Sequence, residues 1–222
     1  IYDNVITGLQ LERILSASGP TGGHVLRPSD GKIPKKVAFV QCVGSRDEKV
    51  GNPYCSRVCC MYATKEAELV KEHVPGTEAM IFYMDIRAFG KGYEEFYMRA
   101  EKEFGIKYIK GRPAEILEDP LTKNLLIRAE NIETNEVLEE EVDMVVLCTG
   151  LVPALTDEMR KMLPLPIDDY GFITTAHPKI DPVSTPLEGV FTAGVAEGPK
   201  DIPDTVTQAS AAAMKASIVA RG

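Results

Sequence analysis

The chain reads as an α/β protein of the nucleotide-binding, Rossmann-like kind, and three observations lead there. Short apolar runs (Val37–Val40, Ala79–Met84, Ile106–Ile109) alternate with amphipathic stretches of helical length. A segment of alternating character and turn residues then interrupts the series between 113 and 138. A further apolar run, Asp143–Gly150, resumes it. Strand–helix alternation calls for a parallel sheet, and the interruption reads as a three-stranded antiparallel crossover inserted before the last strand.

Each element has its own justification. Apolar residues at 5, 6, 9, 11, 14 and 15 fit a short strand leading into a helix. Ser16–Gly23 and Arg27–Gly31 are turn-rich and read as a linker. A strand at 36–41 precedes the cysteine segment, and Met61–Glu72 reads as a helix running to about His73. Ala79–Met84 is the next parallel strand. Tyr93–Phe104 is a helix closed by Gly105, whose residues Tyr93, Phe96, Tyr97, Ala100 and Phe104 form one apolar face expected in the core. Ile106–Ile109 is the third strand. The crossover comprises 113–117, 124–129 and 136–138, turning at Asp119-Pro120 and Thr134-Asn135, with Glu139–Glu141 in a solvated turn. After Pro153 the expectations are a short helix over 155–165, strands at 168–173 and 189–194, and a small-residue helix over 205–220.

Composition narrows the function. Twenty-five basic against thirty-three acidic residues give a net charge of −8, which argues against nucleic acid or anionic membrane as a partner. No apolar run approaches the ~20 residues of a membrane span. Ile1 in place of Met points to a fragment or a processed chain, and the opening residues carry no secretory signal pattern, so a cytoplasmic location with reduced thiols is expected.

Four of the five cysteines fall between residues 42 and 60: Cys42, Cys55, Cys59 and Cys60. They sit at a strand exit and in the first turn of the following helix, where free N–H groups and the helix dipole favour negative charge. Arg46, Arg57 and Lys65 lie close in sequence to offset thiolate charge. Four thiolates complete an iron–sulfur cubane. Zinc usually takes separated Cys-x-x-Cys pairs, absent here, and disulfides or unligated buried thiols are the remaining readings. Neighbouring helical residues point about 100° apart, so Cys59 and Cys60 share a cluster only where the helix start permits it. Cys148, inside an apolar strand, reads as a buried structural cysteine. His24, His73 and His177 share no spacing, and no catalytic residue is assigned. The sequence holds no Gly-x-Gly-x-x-Gly, and Gln41–Ser45 stands where a phosphate-binding loop would lie, which argues against an NAD(P)H:disulfide oxidoreductase.

Val145–Pro153 and Gly189–Pro199 resemble the paired motifs of two-dinucleotide-domain, thioredoxin-reductase-like flavoproteins. With Gln41–Asp47, Tyr54–Tyr62 and Gly198–Asp204 added, the chain resembles the family of heterodisulfide reductase A-type subunits over nearly all its length. The resemblance implies a [4Fe-4S] cluster on Cys42, Cys55, Cys59 and Cys60, and FAD along Gly150, Leu151, Val152, Gly194, Val195, Lys200, Asp201, Ile202, Val206, Gln208 and Ala209. Lys200 would be a cation tuning the flavin, against an exposed loop lysine; Asp201 and Asp204 read equally as helix caps. It implies residues 1–35 and 153–222 as parts of an FAD domain and 36–152 as a nicotinamide-domain-like unit carrying the cysteines. It also implies an electron-transfer component working with other heterodisulfide reductase subunits or redox proteins; separately, the flavin-domain segments are expected to expose an apolar surface that a second copy would cover. Without the glycine-rich loop the fragment is expected to hold FAD weakly and to be inactive alone. The alternative is a zinc-binding or scaffold fragment without redox chemistry.

Overall fold

The computed structural model describes residues 2–221. In chain order the elements are β1 (Val5–Thr7), α1 (Gly8–Leu15), β2 (Lys36–Val43), α2 (Cys59–His73), β3 (Glu78–Tyr83), α3 (Tyr93–Lys102), β4 (Lys107–Lys110), β5 (Pro113–Glu118), β6 (Leu125–Asn131), β7 (Glu136–Val142), β8 (Met144–Thr149), α4 (Asp157–Met162) and α5 (Ile202–Ala220). They belong to two compact units, residues 1–43 with 59–149, and residues 44–58 with 150–222.

The first unit is built on a five-stranded sheet in the order β1-β8-β2-β3-β4, with every pairing parallel. Period-two alternation sends Val37 and Phe39 to one face of β2 and Ala38 and Val40 to the other. The first face packs with Leu11 and Ile14 of α1, Ala63, Ala67 and Val70 of α2, and Ala100 of α3. The second packs with Leu125, Ile127, Ala129 and Val142 of the antiparallel sheet β5-β6-β7. Helices, parallel sheet and meander thus form three layers with a core on each side of the middle one. This is the mixed α/β, Rossmann-like architecture expected.

The expected linker is tied down rather than loose. Buried Arg27 donates to Asn124 Oδ1 (2.8 Å), to Thr122 O (2.8 Å) and to Asp143 Oδ1 (3.2 Å). Asp143 in turn accepts from the backbone N–H groups of Lys35 and Lys36, and buried Asn4 bridges Lys123 O and Ser29 N. Through these bonds and the parallel pairing of β1 with β8, the segment before β2 is held against the parallel sheet.

Of the apolar stripe expected in the core on α3, only Ala100 is buried. Tyr97 instead meets Tyr108 edge-on at 4.7 Å.

In the second unit, α4 is shorter than the expected 155–165 helix. The strands expected at 168–173 and 189–194 reduce to isolated bridges, Ile167 with Ile173 and Ser184 with Phe191. A 3-10 turn covers Gly194–Ala196. Helix α5 is capped by Asp201, whose side chain accepts from Asp204 N at 2.9 Å, and it buries none of its residues. No helix among the described residues is long and apolar enough to cross a membrane.

Candidate functional site

In the first unit, β2 ends where its pairing with β8 slips between Val40 and Val43, and Cys42 within that irregularity has φ of 60°. A side-chain-bearing residue in the left-handed region costs about 1 kcal/mol or more. Cys59 and Cys60 open α2, and all three side chains are buried. The Cys59 thiol hydrogen-bonds to Cys42 and to Cys60, which holds its proton and pushes it up; the same bond draws Cys60 down. The two neighbouring cysteines therefore do approach each other at the helix start. Cys60 Sγ also reaches Asp85 O at 3.8 Å, and Gln41 Nε2 donates to Cys59 O at 3.3 Å. Among the described residues no three His, Cys, Asp or Glu groups are drawn into the geometry of a single-ion site. The donor chemistry fits a thiolate-bound cluster at three of the four expected ligands, all soft sulfur and shielded from water.

Cys55, the fourth, belongs to the second unit, on the loop 44–58. That loop folds on itself through the Asp47–Asn52 bridge and Arg46 N to Tyr54 O (2.9 Å). Tyr54 packs against Tyr170 and Phe172 at 5.2 and 5.4 Å, and its hydroxyl donates to Leu151 O at 3.0 Å. Ser56 Oγ accepts from Leu151 N at 2.8 Å. Half-buried Cys55 receives the backbone N–H of Arg57 on its sulfur at 3.3 Å. A Cβ on Gly150 would meet Ser56 Oγ at 2.6 Å and Ser45 Cβ at 2.7 Å, so glycine is required for the loop to seat here.

The remaining expected flavin residues also lie in this unit. Lys200 is nearly buried, and its ammonium donates to Gly194 O (2.8 Å), Gly198 O (3.1 Å) and the Glu197 carboxylate. Gln208 Oε1 accepts from Gly194 N at 2.8 Å, and its Nε2 donates to Pro182 O. Gly194 has φ of 69° with Thr205 Cγ2 3.0 Å from its missing Cβ. Val152 and Val195 line an apolar cavity of about 270 Å³ with Pro153, Leu155 and Met159. Ile202, Val206 and Ala209 lie on α5, which buries none of its residues. Polar groups at Leu151, Gly194, Lys200 and Gln208 are thus consumed within the unit, leaving apolar surface.

Two of the expected counter-charges are engaged elsewhere, Lys65 with Glu12 and Arg57 with Asp204. Cys148 is fully buried, and burial pushes its thiol well up. Sequence reasoning missed Tyr54 and Ser56 as the loop's anchors; hydroxyl side chains flanking Cys55 on both sides were the available signal. It also missed Glu66, a carboxyl on the buried face of α2 among Ala63, Ala67 and Val70, raised to about 8 by burial and by nearby Glu12.

No protein-family model matches the chain. Over 219 residues, 98% of its length, it is 58% identical to the A-type iron-sulfur subunit of the CoB–CoM heterodisulfide reductase of Methanocaldococcus jannaschii. The chain is related along nearly its whole length to the A-type subunits of heterodisulfide reductases. It is also 58% identical over 220 residues to the A-type subunit of the H2/formate:CoB-CoM heterodisulfide,ferredoxin reductase of Methanococcus maripaludis. The corresponding polypeptide of the ferredoxin/F420H2-dependent CoB-CoM heterodisulfide reductase of Methanosarcina acetivorans is 50% identical over 215 residues. The chain spans only 33% of the first two relatives and 27% of the third. Among solved structures, thioredoxin reductases from T. acidophilum (TM-score 0.59, 19% identity, 85% of this chain and 53% of that one) and Lactococcus lactis (0.55, 24%, 84% and 52%) share the fold.

Proposed function

We propose that the chain is the cluster-bearing part of an oxidoreductase subunit of the heterodisulfide reductase A type, with a [4Fe-4S] cluster held by Cys42, Cys55, Cys59 and Cys60. The observation that carries this reading is the meeting of three buried thiols where β2 ends and α2 begins. A relative of this segment is named as an iron-sulfur subunit, which supports the same assignment.

A bound cubane would supply one-electron transfer. The chain's own residues would do the rest. Burial of Cys42, Cys59 and Cys60 excludes water from the sulfurs. The Arg57 N–H donates to Cys55 Sγ, and a hydrogen bond to a ligating sulfur is a lever that would tune a cluster's potential. The partner in electron exchange would be FAD, alongside other heterodisulfide reductase subunits or redox proteins and, at the exposed apolar residues of α5, further protein such as a second copy. Val152, Val195, Ile202, Val206 and Ala209 offer apolar contact to a flavin ring, with Gly150, Leu151, Gly194, Lys200, Asp201 and Gln208 shaping the backbone behind them. Flavin grip in this fold rests on a glycine-rich loop at a helix N-terminus. The 222 residues contain none, so on their own they are expected to be inactive.

Protein prepared without oxygen and reconstituted with iron and sulfide should bind about four of each per chain, read by metal and sulfide analysis with a broad visible absorption. Stoichiometric zinc that iron cannot displace overturns the reading in favour of a structural metal.

A further inference from the structure

We infer that Arg57 is a positioning residue for Cys55, tying that cysteine to the first turn of α5. The inference rests on the cluster reading above only for its functional meaning; its geometry stands apart. Arg57 has φ of 63°, in the left-handed region that side-chain-bearing residues rarely adopt. In this conformation one residue does two things at once. Its backbone N–H donates to Cys55 Sγ at 3.3 Å. Its guanidinium donates to Asp204 Oδ2 at 2.9 Å and to Pro199 O at 3.4 Å. Asp204 is itself fixed, because its N–H donates to the cap residue Asp201 at 2.9 Å.

Cys55 therefore sits between two kinds of anchor. Tyr54 and Ser56, its immediate neighbours, hold both backbone groups of Leu151 through neutral hydrogen bonds. Arg57 holds the start of α5 through a half-exposed ion pair. The neutral anchor fixes where the loop lies, and the ionic one fixes how Cys55 is turned. A displacement of residues 199–204, the stretch proposed to run beside the flavin, reaches the cysteine through this side chain. A plain surface ion pair would have no reason to sit on a strained residue two positions from the thiol.

The test uses the full 222-residue chain in wild-type form and as Arg57→Ala, Arg57→Lys and Asp204→Asn. On cluster-free, reduced protein the rate of Cys55 alkylation by iodoacetamide is followed by peptide mass spectrometry, with buried Cys148 as an internal gauge of folding. Exposed ion pairs are worth a few tenths to about 1 kcal/mol, so Cys55 should react about two- to fivefold faster in Arg57→Ala and Asp204→Asn, with Arg57→Lys in between. On protein loaded anaerobically with iron and sulfide, Arg57→Ala should alter the electron paramagnetic resonance signal of the reduced cluster, and Arg57→Lys should restore it in part. Equal Cys55 rates in all four proteins overturn the inference. A wild-type chain that takes up no iron overturns the cluster reading, and alkylation then decides the role of Arg57 alone. Should Cys148 become reactive in Arg57→Ala, that variant has unfolded and Asp204→Asn carries the decision.

Discussion

The first unit buries Phe39, Ile81, Leu11 and Met144 completely, whereas the nineteen-residue α5 of the second buries nothing. Both contain regular elements, so the contrast lies in packing and not in local structure. In the first, two layers close on the faces of one sheet. In the second, the ordering comes from caps and polar locks: Asp201 on α5, Lys200 on Gly194 and Gly198, and Tyr54 and Ser56 on Leu151. Ile202, Val206, Met214, Ile218 and Val219 are left exposed on a single helix. A helix with that much exposed apolar surface is of the kind that other protein covers.

The sharpest way to break the comparison is Phe39→Ala. Phe39 lies at the centre of the helix-side core with no exposed surface. Truncation should cost about 3–5 kcal/mol, seen as a lower midpoint of chemical denaturation. A loss below about 1 kcal/mol would mean that the first unit's core is as loosely built as the second's.

Glu66 sharpens it next, because only a well-packed unit can hold a carboxyl away from water. Its Oε2 is buried without a hydrogen-bond partner, and its pKa is raised from the ordinary 4.5 to about 8, first by burial and then by Glu12. The folded protein thus binds this proton more tightly than the unfolded chain. Stability from this residue is intact below pH 4.5, falls as pH rises towards 8, and levels off above it. The loss amounts to at most about 5 kcal/mol. Glu66→Gln should flatten that stretch of the stability profile, measured by denaturant unfolding at closely spaced pH values. An unchanged slope would place the carboxylate in water.

Much of the first unit was legible because its pattern is local. Apolar runs marked β2, β3 and β8, alternation marked β6, and the cysteine pair marked the start of α2. What escaped was non-local. Residues 168–173 and 189–194 carry strand-like sequence but find no neighbour along a ladder, so each keeps one isolated bridge. Lys200 resembled a free cation, yet three acceptors from its own turn surround it. The loop 44–58 reads as an insertion in the first unit, but its side-chain hydrogen bonds run to Leu151 and Asp204. Of the expected site, the thiols of Cys42, Cys59 and Cys60 approach one another, and Gly194 bonds with both Lys200 and Gln208 within the second unit.

The smallest effect is expected from Val206→Ser. Val206 is exposed on α5, so the isolated chain should change by less than about 0.5 kcal/mol in thermal or chemical denaturation. A large loss would show that α5 is covered in solution, and its dependence on protein concentration would reveal whether a second copy is the cover.

The strand order has a consequence for how such a chain comes into being. β8, residues 144–149, lies between β1 and β2, so the first strand of this sheet waits for its neighbour until the last has been made. Arg27 and Asn4 wait likewise for Asp143, Asn124 and Lys123. Closure of the sheet is therefore a late, long-range event of the kind that slows folding. A ribosome that stalls before residue 149 would release a chain with β2 missing its neighbour on one side, open to the wrong strand.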